Sequence, residues 1–315
     1  MKIVVGMDLT EAQRAALEAA APGCRLDVVG QGNITVENAA DAEVVVGNPP
    51  VAMVPELKKM KVLQLHSAGN DGYDVAIQKV PGARLFNASG AYGLALSEHM
   101  LAGLMMLMKK MHLYRDAQAR SQWARFGEVD SVYGSRILVL GLGNVGEMFA
   151  ARVKALGAYV IGMKRTPGEK PDCVDELYTI DSLDEVLPTV DAVCMSLPGT
   201  AATAGIISAA RIEAMKPGAY ICNVGRGSAI DQDALVKALN EGRLGGAALD
   251  VTSPEPLPAD HPLWTAKNCF ITPHVAGGYN LPRTKGYILD IVRRNLSAYV
   301  EGRPMINEVD VSRGY

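Results

Sequence analysis

The sequence is short of several things. Its five cysteines, Cys24, Cys173, Cys194, Cys222 and Cys269, are odd in number and scattered, and no C-x-x-C occurs. That argues against a disulfide framework or a zinc site and for free thiols in a reducing compartment. Cys194 and Cys222 stand in apolar runs and read as small core residues. Long apolar runs are also missing: residues 100–108 form the most apolar stretch, nine residues, about half of a membrane span. Neither sign of charge dominates. The net charge is −3 and no basic stripe appears, which speaks against nucleic acid as a partner. The chain does not open on the basic-then-apolar pattern of a secretory leader, since KIVVG at 2–6 already reads as a strand. The expected setting is the cytoplasm, with neither membrane nor metal as a partner.

What is present is 49% apolar residues over 315 positions, enough for about two domains with separate cores. Residues 2–6, 26–29, 43–47, 62–66 and 84–87 read as strands, with helical stretches between them, clearest at 11–20 and 55–60. Such alternation implies a parallel sheet with helices on both faces. The strand at 62–66 runs into Ser67-Ala68-Gly69-Asn70-Asp71-Gly72. Small residues at the C-terminal end of a strand leave N–H groups that suit a carboxylate, although the same stretch also reads as a plain turn. Residues 91–122 read as one long Met-rich helix, a crossover between domains and a candidate subunit interface. A loop follows at 121–135, with Trp123, Phe126 and Tyr133 as expected anchors.

The stretch that organises the rest is RILVLGLGNVG at 136–146. Four apolar residues, Ile137 to Leu140, run into Gly141, Gly143 and Gly146, and helical spacing follows through Val145, Met148, Phe149, Val153 and Leu156. A G-x-G-x-x-G between strand and helix is the dinucleotide-binding context. The first glycine permits a tight turn, the second lets backbone approach a pyrophosphate, and the third allows close helix packing. The helix N-terminus from Asn144 then offers N–H groups to phosphate. Further strands read at 158–163, 192–197, 219–224, 246–251 and 269–272, and helices at 183–187, 209–215 and 234–240. Asp231 suits an N-cap and Gly242 a helix stop. The amphipathic stretch 281–300 is expected to pack back on the first domain, which would then be built from both chain ends.

After the strand at 158–163 comes Lys164-Arg165-Thr166, where this fold usually carries an acid for the ribose hydroxyls. Two cations and a hydroxyl suit a 2′-phosphate instead, so NADP(H) is the expected cofactor. A solvated basic turn in an NAD(H) enzyme is the alternative. Arg226, Glu255 and His274 each follow a strand, where the fold places active sites. Together they have a coherent task. A His can protonate a carbonyl oxygen, a Glu on its other nitrogen fixes the tautomer, and an Arg polarises the carbonyl and pairs with a carboxylate. The glycines beside Arg226 are expected to let its guanidinium project.

GLGNVG, NVGRG, ALDVTSPEP and TPHVAGG, in this order, together with HSAGNDGYD and ALSEHMLAGLM, make the whole chain resemble the D-2-hydroxyacid dehydrogenases. The resemblance implies a Rossmann doubly wound parallel sheet inserted into a smaller flavodoxin-like α/β domain. The substrate domain would comprise 1–97 plus 285–315 and the cofactor domain 98–284, with the active site between them. It implies Arg226 as the substrate-binding arginine, His274 as proton donor or acceptor and Glu255 as its partner. Ala68 and Gly69 would bind the substrate carboxylate. Asp250 would meet the nicotinamide carboxamide, and Gly277 would lie beside that ring. Leu197, Pro198 and Thr203 would line the adenosine side. The turn Gly141, Gly143, Asn144, Val145 and Gly146, the positions Lys164, Arg165 and Thr166, and Val224 and Gly225 complete the cofactor contacts.

The implied reaction is NADPH-dependent reduction of a small 2-oxo acid to the D-2-hydroxy acid by a homodimer. Lys164 in place of the family's usual Asp resembles its NADPH-using glyoxylate and hydroxypyruvate reductases. An NAD-linked dehydrogenase, including a short phosphoglycerate type, and a non-catalytic nicotinamide sensor remain open. The chain ending at Tyr315 leaves no room for a serine-sensing module, so a full-length phosphoglycerate dehydrogenase is not expected. Asn48, Pro49, Tyr73, Tyr92, Trp264 and Tyr279 are the expected walls of the substrate side.

Overall fold

The computed structural model describes residues 1–278 and 281–312. The chain divides into two compact units, Met1–Tyr92 with Leu281–Tyr315, and Gly93–Asn280.

The first unit opens with β1 (Lys2–Val5), α1 (Glu11–Ala20), β2 (Arg25–Val28), α2 (Val36–Ala39), β3 (Val44–Val46), β4 (Val62–Gln64), α3 (Tyr73–Ile77) and β5 (Arg84–Phe86). The strands are parallel in the order β2-β1-β3-β4-β5, which is the flavodoxin-like order. β3 is Val-Val-Val, buried throughout, as a strand covered on both faces should be. α1 and α2 each begin with a capping box, Thr10 with Gln13 and Thr35 with Asn38. The helix expected at 55–60 is absent. A short 3-10 segment at Val51–Glu56 stands there instead; Pro55 within it has no N–H for an α-helical ladder, and Leu57 N–H closes it on Val54 O.

The second unit begins with α4 (Gly93–Met108) and α5 (Met111–Ala119). These are two helices where one was expected, because Lys110 adopts the left-handed conformation at φ 55°. The two lysines at the break tie the following segment back: Lys109 Nζ donates to Asp130 O at 2.6 Å and Lys110 Nζ to Phe126 O at 2.7 Å. In that segment Val132 is buried and Phe126 meets Tyr114 edge-on at 5.0 Å. Trp123 is fully exposed and Tyr133 largely so, so neither is the anchor expected of it.

Then come β6 (Arg136–Leu140), α6 (Asn144–Ala155), β7 (Tyr159–Lys164), β8 (Glu176–Thr179), α7 (Leu183–Val186), β9 (Ala192–Met195), α8 (Ala209–Ala214), β10 (Tyr220–Asn223), α9 (Gln232–Asn240), β11 (Gly246–Leu249) and β12 (Cys269–Ile271). They form one parallel seven-stranded sheet, β12-β11-β10-β9-β6-β7-β8. This is the doubly wound Rossmann order with one strand added, and its direction of growth switches between β6 and β9. Alternation along β6 sorts the two cores. Ile137 and Val139 pack with Phe149 of α6 and Leu104 of α4, whereas Leu138 and Leu140 pack with Leu183, Ile212 and Leu235 of α7–α9. Cys194 and Cys222 are adjacent across β9 and β10, buried and free. Asp231 caps α9 through its carboxylate to Ala234 N at 3.0 Å, and Gly242 ends it at φ 73°.

The chain then returns to the first unit as α10 (Pro282–Val300), which buries Ile288, Val292 and Leu296 and packs against α1. Beyond it Val309 N donates to Leu85 O at 2.9 Å, and Phe86 and Glu308 form an antiparallel bridge on β5. No helix among the described residues is long and apolar enough to cross a membrane.

Candidate active site

The glycine turn stands at the switch point of the seven-stranded sheet. Gly141 has φ 99°, a conformation that side chains resist. A Cβ on Gly146 would lie 2.0 Å from Gly141 O, so the third glycine is required by the first one's carbonyl. A Cβ on Gly143 would meet nothing within 4 Å, so it would fill the open space over the turn. Gly143 supplies no side-chain cap to α6, and the first N–H groups of that helix, at Asn144, Val145 and Gly146, face the same end. An open cradle of uncapped amides at a helix N-terminus fits the pyrophosphate of a dinucleotide. Ser196 Oγ donates to Gly141 O at 3.0 Å and joins the two strand ends of the switch point. Its role was not readable from sequence, since the two residues lie far apart along the chain.

Lys164 is the last residue of β7, and Arg165 and Thr166 follow it on the surface. Lys164 Nζ reaches Glu169 O at 3.3 Å within its own turn. Leu197 and Pro198 leave β9, and Thr203 closes their turn by donating to Pro198 O at 2.6 Å.

Arg226 follows β10 and Val224, whose N–H extends the sheet to Met195 O at 3.0 Å. The glycines around Arg226 have a different reason from the one expected. A Cβ on Gly225 would lie 2.6 Å from Leu197 O, and one on Gly227 2.0 Å from the carbonyl carbon of Thr252. They are small because neighbouring strand ends approach as backbone. Fully buried Asn223 holds the turn, accepting from Gly225 N at 3.0 Å and donating to Arg226 O at 2.9 Å. Arg226 Nη1 donates to Gly225 O at 2.8 Å.

His274 and Glu255 meet. His274 Nδ1 and Glu255 Oε2 are 2.7 Å apart, and Glu255 Oε1 accepts from Thr252 N at 2.9 Å. The glutamate's loop is pinned by Gln232 of α9, which bonds the backbone of Ser253 on both sides. His274 has φ 53°, a strained conformation for a residue with a side chain and one typical of functional positions. Its N–H donates to Asp250 O at 2.8 Å. The buried carboxylate of Asp250 accepts from Thr272 Oγ1 at 2.6 Å, Val275 N at 2.9 Å and Ala276 N at 3.0 Å. Three donors use three of the carboxylate's roughly four lone-pair sites. Half-buried Gly277 comes directly after this clamp.

In the first unit, the loop 67–72 is built as a rigid turn. Asn48 donates to Ser67 Oγ at 2.8 Å and accepts from His66 N at 3.0 Å. Asn87 Nδ2 donates to Ala68 O at 3.0 Å, and Ser67 Oγ to Gly69 O at 2.6 Å. These bonds engage the carbonyls of Ala68 and Gly69. Tyr73 is buried with its hydroxyl on Pro49 O at 2.6 Å, so it is part of the core rather than a wall. Trp264 is half-exposed, with its indole N–H on Pro258 O at 2.8 Å. Tyr279 lies outside the described residues.

Residues 101–276 match the family model of the D-isomer specific 2-hydroxyacid dehydrogenase NAD-binding domain. A D-isomer specific 2-hydroxyacid dehydrogenase family protein from Aeromonas salmonicida, 30% identical, has a TM-score of 0.86 over 98% of this chain and 99% of its own. A D-isomer specific 2-hydroxyacid dehydrogenase from Xanthobacter autotrophicus, solved with NADPH and MES, is 27% identical, with a TM-score of 0.83 over 100% and 99%. The D-3-phosphoglycerate dehydrogenase of Methanocaldococcus jannaschii is 31% identical over 246 residues, 76% of this chain and 46% of that longer protein. With its doubly wound sheet and glycine turn, the chain belongs to the D-isomer specific 2-hydroxyacid dehydrogenase family, NAD(P)-dependent oxidoreductases of small 2-hydroxy and 2-oxo acids.

Proposed function

We propose that the protein reduces a small 2-oxo acid to the D-2-hydroxy acid with NADPH. The observation that carries this reading is the His274–Glu255 pair at 2.7 Å, standing beyond β11 and β12 in a sheet whose switch point holds the glycine cradle. The cradle at Gly141, Gly143, Asn144, Val145 and Gly146 would hold the pyrophosphate, and Lys164, Arg165 and Thr166 the 2′-phosphate. When bound, the reduced nicotinamide supplies hydride chemistry.

The chain's own residues do the rest. Arg226 binds the substrate carboxylate and polarises the neighbouring carbonyl. In the first unit, the Ala68 and Gly69 amides are proposed as carboxylate donors. Glu255 accepts the Nδ1 proton of His274, which fixes the ring and leaves Nε2–H as the acid. That proton goes to the C2 oxygen as the carbon is reduced, and in the reverse direction Nε2 takes it back. Asp250 and Gln232 hold the two loops that bring acid and partner together.

A homodimer is part of the proposal. The second unit exposes Met105, Met111, Tyr114, Trp123, Val129 and Tyr133, more large apolar side chains than a lone surface usually carries together. The proposed setting is the cytoplasm. The rival reading, an NAD-linked enzyme, draws on Lys164 Nζ already donating to Glu169 O. A panel of 2-oxo acids assayed with NADPH and NADH tests both. Turnover favouring NADPH supports the first, turnover favouring NADH the second, and no turnover with any oxo acid overturns both.

A further inference from the structure

We propose that His99 is a positioning residue for His274, acting through Thr272 and Asp250. The inference rests on the reading of His274 as the acid and adds a residue on a distant helix to its support.

His99 lies on α4 and places Nε2 3.0 Å from Thr272 Oγ1. Thr272 Oγ1 is in turn 2.6 Å from Asp250 Oδ1. Asp250 is 3% exposed, and its carboxylate takes the N–H groups of Val275 and Ala276, the two residues after His274. The direction of these bonds follows from chemistry. An ionised carboxylate only accepts, so the single proton of Thr272 points to Asp250 and Thr272 must accept from His99. The Nε2 of His99 therefore carries a hydrogen. The line runs from His99 N–H to Thr272 O–H to the carboxylate, which grips the loop on the far side of His274.

The grip has a purpose. His274 sits at φ 53°, a conformation that persists only when its surroundings over-determine it. Asp250 supplies that constraint from both sides, with its carbonyl on His274 N at 2.8 Å and its carboxylate on the next two amides. Free to rotate about its side chain, Asp250 could not hold Val275 and Ala276 together. Thr272 removes that freedom, and His99 removes the corresponding freedom from Thr272. The ring of His99 borders a largely apolar cavity of about 560 Å³ rather than the close-packed core. Replacing it therefore removes the donor and leaves the core intact.

The test uses His99→Leu and Thr272→Val, which delete the donor and the relay, and His99→Gln, whose amide N–H reaches the position of Nε2. Hydrogen exchange is read at the Val275 and Ala276 amides, with no substrate or cofactor present. The expected result is exchange about tenfold faster in H99L and T272V, the loss of about one hydrogen bond, near-normal exchange in H99Q, and no change at Leu138 in β6. In turnover, H99L should lower kcat with little change in KM, and H99Q should restore it. Unchanged amides in H99L and T272V, an H99Q indistinguishable from H99L, or loosened amides with unchanged kcat would each overturn the proposal. A wild-type protein inactive on every oxo acid would instead fell the reductase reading, and the exchange data would still decide whether His99 holds the loop.

Discussion

Glu255 grips His274 and its own loop with the same carboxylate: Oε2 lies 2.7 Å from His274 Nδ1 while Oε1 accepts from Thr252 N at 2.9 Å. The imidazole is thus referred to the backbone beyond β11 rather than to a mobile side chain. Removing either member should therefore act on the chemical step more than on binding.

His274→Ala is expected to lower kcat/KM by about 10²–10⁴, the range for loss of a general acid, with nucleotide affinity nearly unchanged. Glu255→Gln should lose less, because an amide can keep a hydrogen bond to the ring without favouring its charged form. Steady-state kinetics beside a nucleotide-binding titration checks both. A loss of only a few fold in His274→Ala would remove this residue from the mechanism.

Arg226→Ala should cost at least about two decades in kcat/KM, as expected when a charge-assisted carboxylate contact is lost together with carbonyl polarisation. Gly227→Ala should fail for another reason. Its Cβ would stand 2.0 Å from the carbonyl carbon of Thr252, and backbone on both sides must shift. Circular dichroism and thermal melting should separate the two variants, with Arg226→Ala melting like wild type and Gly227→Ala melting early.

The double change Lys164→Asp with Arg165→Ser should lower the NADPH-to-NADH ratio of kcat/KM by about 10–100-fold, equivalent to one or two charge-assisted hydrogen bonds. An unchanged ratio would show that the basic turn is only solvated.

Stability should fall in acid in a way that Asp175 reports. Lys154 Nζ at 2.7 Å, and then Val160 N at 2.8 Å, hold its carboxyl below the usual range. A carboxyl depressed by folding stabilises above its unfolded pKa, and that contribution is lost as pH falls through the folded value. Asp175→Asn should therefore be less stable than wild type near pH 7, by at most about 1 kcal/mol for a part-exposed pair. The gap should begin to close below about pH 4 and vanish only once pH has fallen through the lowered folded value, where the carboxyl is neutral. Urea midpoints at the two pH values measure this, and a gap that widens in acid would contradict it.

In the first unit, buried Asn295 donates to Gln64 Oε1 at 2.6 Å and Ile306 O at 2.9 Å, and accepts from Ile306 N at 2.8 Å. Gln64 then bonds Asn87 O at 3.2 Å, and Asn87 bonds Ala68 O at 3.0 Å. Asn295→Leu should cost about 2–3 kcal/mol, because it strands buried polar groups. It should also raise KM for the oxo acid more than for the nucleotide. A thermal melt with paired KM values checks this, and equal rises in both would break the link to the Ala68 loop.

Much of the fold was legible because it is written locally. Ile137 to Leu140 followed by glycines is a strand entering a turn wherever it occurs, and Asp231 and Gly242 bracket α9 through bonds spanning a few residues. β8 was not legible, since Glu176 to Thr179 is a half-buried edge with no clear alternation. The break at Lys110 was hidden as well, because its flanks are apolar at helical spacing on both sides and only the backbone conformation reveals it.

The sequence by itself determined the kinds of element, the glycine cradle and the presence of an arginine, a glutamate and a histidine beyond strand ends, because periodicity and turn chemistry act over a few residues. Only the tertiary structure decided which groups meet. The order β12-β11-β10-β9-β6-β7-β8 puts Glu255 against His274, Ser196 against Gly141, Gly227 against Thr252, and His99 against Thr272. Those neighbours are separated along the chain, and the local pattern of either one does not name the other; of these contacts, Glu255 with His274 alone was expected from the sequence. They are set by which strand lies beside which, and that is fixed by burying both faces of a single sheet.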